Sequence, residues 1–132
     1  ARLADAWLIA PWLPPHTCEE RIGFYRRALH EYGRVADEFP IRRDIYVAPD
    51  VVTARQHTDP IIRAGYRGFT GDKLQALIIG GPEEVIAHIE RYRALGCTHF
   101  LFRHIVREQG QMLSSIRLLG DKVLPFFSRA AV

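Results

Sequence analysis

Arg103 and His104 adjoin near the end of the sequence. One is a cation that keeps its charge at any working pH, and the other is a ring that titrates near neutrality. Together they suit an anionic substrate held by Arg103 and a proton given or taken by His104. A salt bridge and a hydrogen-bonded structural histidine are the plainer uses of the same side chains. Trp7 and Trp12 offer flat apolar walls, or simple core and rim packing. Gly65-Tyr66-Arg67-Gly68-Phe69-Thr70-Gly71 has the glycines of a movable loop, and Arg67 in it is a cation for a phosphate or sulfonate. The stretch reads as a lid or as a connecting loop. It is not a dinucleotide fingerprint, because no strand-to-helix turn surrounds it. His16-Thr17-Cys18 and Cys97-Thr98-His99 carry zinc-ligand types without zinc-ligand spacing, so no metal is expected.

The elements that must position these groups alternate. Ala6 to Ala10 reads as a short buried strand stopped by Pro11, Pro14 and Pro15. Thr17 and Glu20 have capping-box spacing, and Ile22, Tyr25, Leu29 and Tyr32 recur on one helical face that Gly33 closes. A second strand is expected over 41–48, followed by a helix capped by Asp50 and kinked or ended by Pro60. Asp72 is expected to cap a short helix over 73–77. Pro82, with Glu83 and Glu84 behind it, marks a helix start whose inner face holds Val85, Ile86, Ile89, Tyr92 and Leu95. Gly96 ends that helix, a third strand spans 98–103, and a last helix buries Met112, Ile116, Leu119 and Val123 until Pro125 ends it. Strand–helix alternation of this kind implies a parallel sheet with right-handed crossovers.

The chain has 132 residues, 48% hydrophobic and 25% charged, which is globular composition for one domain over 1–132. No apolar run approaches the roughly 18–20 residues of a membrane span, and no basic-then-apolar leader is visible. Two cysteines are too few for a disulfide scaffold, so a cytoplasmic setting is expected. The net charge is +3, but the basic residues never run beyond two and have acidic neighbours. Only Lys73 and Lys122 among the 18 are lysine, so nucleic acid is not an expected partner.

Arg2-Leu3-Ala4-Asp5-Ala6-Trp7, Gly80-Gly81-Pro82-Glu83-Glu84-Val85, Arg91 to Gly96, Phe100 to Arg103 and Ser115 to Gly120 occur in an order that resembles the bacterial-luciferase-like flavin-dependent monooxygenases. Ala6 stands where that family usually has Gly. The resemblance implies the C-terminal three βα units of a (β/α)8 TIM barrel, with parallel strands and outer helices. It implies an oxidoreductase that uses reduced FMN or a deazaflavin coenzyme, and oxygen, on a small organic substrate, with a flavin reductase as a possible partner. Barrel active sites lie at the C-terminal strand ends, so His104 and Arg103 become the catalytic candidates and Trp7 the cofactor wall. Arg67, Tyr66 and Trp12 become the substrate and lid candidates. The isolated part is expected to be inactive, and to be a homo-oligomer or to rest on an N-terminal half. The alternative is a non-catalytic half-barrel that serves as a dimerisation or interaction module.

Overall fold

The computed structural model describes residues 1–3 and 6–129. Its elements are α1 (Pro15–Glu31), β1 (Pro40–Val47), α2 (Val51–Arg63), a 3-10 turn (Gly71–Ala76), β2 (Ile78–Gly80), α3 (Pro82–Ala94), β3 (His99–His104), α4 (Gln109–Leu118), a π-turn (Leu119–Val123) and α5 (Leu124–Arg129). The strands form one parallel sheet in the order β2-β1-β3. Ile45 of β1 lies opposite Ile78 on one side and His104 on the other.

Alternation along β1 divides the molecule into layers. Ile41, Ile45 and Val47 face α1, α3 and the π-turn, where they meet Cys18, Ile22, Val85, Ile89, Tyr92 and Val123. Tyr46 and Ala48 face the other way, toward Ala54 of α2 and Tyr66 and Phe69 of the following loop. The excursion between β1 and β2 therefore lies on the second face, while the crossover helices cover the first.

Several local expectations are corrected. The strand over 6–10 shrinks to one parallel bridge, Ile9 with Ile41. The Ile9 N–H reaches the Pro40 carbonyl and the Arg42 N–H reaches the Ile9 carbonyl, but the turn at Pro11 stops a longer ladder. The helix end expected over 1–5 includes Ala4 and Asp5, which lie outside the described residues. Helix α1 starts at Pro15, ahead of the Thr17–Glu20 box, because proline is preset for a first helical position. It ends in a Schellman turn: Arg34 N–H donates to Leu29 O and Gly33 N–H to His30 O, with Gly33 at φ 63°. Tyr32 is consequently exposed. Pro60 sits inside α2 without ending it, and Pro125 occupies the first turn of α5, where proline is tolerated. Thr70, not Asp72, precedes the 3-10 turn. The inward line of the last helix runs Ser115, Leu119, Val123, and Ile116 is 47% exposed one position off it.

Candidate functional site

Parallel strands bring their C-terminal ends to one edge of the sheet, and two groups of polar side chains gather on the second face near that edge. Asp44 of β1 and Arg103 of β3 are register partners. The Asp44 carboxylate accepts from Arg103 Nε at 2.9 Å on one oxygen and from Nη2 on the other, a two-point pairing. Tyr66 from the excursion donates its hydroxyl to Asp44 Oδ2 at 2.8 Å. Asp44 has no exposed surface, and all its partners come from other elements. The hydrogen bond to Asp44 raises the Arg103 pKa further, so this cation is permanent. Burial, then the bond to Asp44, pushes the Tyr66 hydroxyl up to about 12 and keeps it a donor.

The second group begins two residues further along β1. Tyr46 is buried, and its hydroxyl lies 2.7 Å from His57 Nδ1 on α2. Burial, with Glu108 adding to it, raises the Tyr46 pKa and keeps its hydroxyl protonated. Past the end of β3, α4 takes over: Ser115 Oγ accepts the Val47 N–H at 2.9 Å, satisfying a ladder donor that β3 is too short to reach. Tyr46, His57, Ser114 and Arg117 line a cavity of about 600 Å³ between α2 and α4.

The helix starts at this edge are already occupied by carboxylates. Asp50 accepts from the Thr53 N–H and hydroxyl at the start of α2. Glu84 accepts from Gly81 N–H before α3, and Glu108 accepts from Gly110 and Gln111 N–H in α4. Hydrogen bonds from the backbone hold the Asp50 and Glu108 carboxyls below their ordinary range.

The expected residues are not all brought together. Arg103 and Tyr66 meet on Asp44, whereas Arg67 beside them is exposed in a left-handed conformation at φ 46°. His104 is Arg103's neighbour on a strand and so faces the opposite side. Its Nδ1 is buried without a partner, and burial lowers its pKa, which favours the neutral ring. Trp7 packs against Tyr25 of α1 at 5.9 Å between ring centroids, on the first face, so a ligand at Arg103 does not share it. Trp12 is 51% exposed in the proline-rich turn. The sequence reading passed over Asp44, Tyr46 and His57. The signal for Asp44 was there: Arg42-Arg43-Asp44 interrupts an otherwise apolar strand, and a charge at such a site must be paired. Cys18 and Cys97 are both buried, and no three His, Cys, Asp or Glu residues gather as a metal site among the described residues. No helix among them is long and apolar enough to cross a membrane.

No protein-family model matches the sequence, and neither does any curated protein. Solved structures do match. The chain is similar to monooxygenase RslO1 from Streptomyces bottropensis, at 21% identity over 92% of this chain and 41% of that one, with a TM-score of 0.66. It is similar to riboflavin lyase RcaE, solved with modified FMN and the substrate riboflavin, at 17% identity over 99% of this chain and 40% of that one, with a TM-score of 0.70. It is also similar to the coenzyme F420-dependent tetrahydromethanopterin reductase from Methanopyrus kandleri, at 18% identity over 96% of this chain and 46% of that one, with a TM-score of 0.63. These neighbours are luciferase-like proteins. The chain spans less than half the length of each of the three, and at these identities the likeness establishes the fold.

Proposed function

We propose that this chain is the C-terminal three βα units of a luciferase-like (β/α)8 barrel, part of a flavin- or deazaflavin-dependent oxidoreductase that oxidises a small organic molecule. The observation that carries the reading is the likeness of nearly the whole chain to a riboflavin lyase solved with modified FMN and to an F420-dependent reductase. Monooxygenation, with reduced flavin delivered by a separate reductase in a cytoplasmic setting, is the finer form of the proposal.

The residues present fit one end of such a cofactor. At the three helix starts behind the strands, carboxylates of the chain itself sit where a phosphate would be held, so a phosphate tail gains nothing here. Arg103, fixed by Asp44 and partly open to solvent, suits the electron-rich edge of a flavin ring. The cofactor, when bound, supplies two-electron transfer to or from substrate. The chain's own tasks are then to hold the ring edge with Arg103, to fix that cation through Asp44, and to cover the face from water with the Tyr66 loop.

The test is fluorescence titration of the 132-residue chain with FMN, riboflavin and F420, oxidised and reduced. Quenching is expected, with FMN and riboflavin binding within about twofold of each other, because no phosphate contact distinguishes them. No quenching by any of them overturns the flavin reading. A second reading, a half-barrel used for association, is favoured by one observation: Leu101, on the edge strand β3, is 48% exposed. In that reading the chain is a homo-oligomer.

A further inference from the structure

The cavity between α2 and α4 has a donor-rich lining. The Tyr46 hydroxyl is buried, and its hydrogen-bond partner is His57 Nδ1. The contact is met in either direction, and where the hydroxyl donates to Nδ1 the ring proton sits on Nε2. In that arrangement His57 presents a donor to the cavity wall. Arg117, Ser114 and Gln111 add a guanidinium, a hydroxyl and an amide to the same wall. Arg117 makes no ion pair among the described residues. The one carboxylate of the lining, Glu108, is engaged by the first turn of α4 and so is not the partner of these donors. Val47, Ala48 and Leu118 supply apolar wall.

We propose that this cavity is a binding site for a small organic molecule with an acceptor-oxygen head and an apolar body, of the 2-oxo-carboxylate class. Its carbonyl oxygen accepts from His57 Nε2–H, its carboxylate lies against Arg117, and its body meets Val47 and Leu118. Tyr46 is a positioning residue: its hydroxyl sets which nitrogen of His57 carries the proton. The inference deepens the proposed function by naming a substrate class for the same strand edge, and it rests on that reading only for the placing of chemistry there.

The test uses the ¹⁵N-labelled 132-residue chain and benzoylformate as probe. Long-range ¹H–¹⁵N spectra of the unliganded protein are expected to show His57 as the Nε2–H tautomer. Benzoylformate is expected to shift the His57 Nε2 signal saturably, and mandelate, which has a hydroxyl in place of the keto oxygen, to bind about tenfold more weakly. Arg117→Gln is expected to weaken benzoylformate about tenfold or more, and Arg63→Gln, an exposed residue at the far end of α2, to leave it unchanged. Tyr46→Phe is expected to give a mixed His57 tautomer. Circular dichroism establishes that each variant is folded, and the tautomer of the unmodified chain decides the point if one is not. An Nδ1–H tautomer, no saturable shift, or equal binding by Arg117→Gln overturns the inference. Flavin quenching measured in the same samples separates the two readings. Flavin binding without a benzoylformate shift removes this site alone. A benzoylformate shift without flavin binding supports the site and removes the cofactor.

Discussion

Asp44 is a carboxylate with no exposed surface, held by one cation and one hydroxyl. A buried charge is tolerated when its lone pairs are filled, and breaking such a set is far more costly than never having built it. Tyr66 is the member supplied by the excursion. Its pKa rises from the ordinary 10.0 to about 12, mainly through burial. Between those values the unfolded chain has lost the Tyr66 proton and the folded chain keeps it, so stability falls as pH rises through that window. Tyr46, Tyr92 and Cys97 shift in the same direction and add to the fall. Tyr66→Phe is therefore expected to cost about 1.5–3 kcal/mol at neutral pH, the range for a hydrogen bond to a charged group. It is also expected to flatten the alkaline decline without abolishing it. Urea unfolding midpoints at neutral and alkaline pH check both, and unchanged neutral stability would show that the bond to Asp44 contributes nothing.

Among the elements, the last helix separates pattern from packing. Ile89 on α3 is 4% exposed and belongs to the first-face core, whereas Ile116 on α4 is 47% exposed. Ile89→Ala is expected to lower stability by about 2–5 kcal/mol, and Ile116→Ala to change it by about 0.5 kcal/mol or less. Equal losses in denaturant melts would place the core line on the wrong face of α4. The sequence showed the long, well-punctuated elements plainly: Pro82 with two acidic residues opens α3, and Gly33 and Gly96 close helices at positive φ. It hid features that depend on distant partners. Ile78 to Gly80 is too short to read as a strand until β1 lies beside it. Ser115 reads as a polar break in an apolar stripe, yet it is buried because Val47, 68 residues earlier, needs an acceptor. Arg103 and Tyr66 were legible as candidates, but their meeting on Asp44 was not, because three separate segments build it.

On the scale of the whole molecule, β3 is an edge of the sheet that carries Leu101 into solvent. Edge strands pair with other chains unless charge or cover prevents it. Association of the 132-residue chain is therefore expected in sedimentation, and Leu101→Lys is expected to shift it toward monomer. A monomer before substitution would contradict both the barrel-part and the association readings of that edge. The central strand β1 is tied to the proline-rich turn by Arg43, which has no exposed surface. Its guanidinium lies 4.5 Å from the Tyr92 ring centroid, and its Nη atoms reach the Ala10 and Leu13 carbonyls, both at 2.9 Å. The sequence gap across those bonds, 33 and 30 residues, turns a packing detail into a matter of timing. At ~5–20 residues per second of synthesis, the proline-rich turn leaves the ribosome about 2–6 seconds before the arginine that clamps it. Until then the turn lacks the guanidinium that joins it to β1, and its closure waits on residues made later.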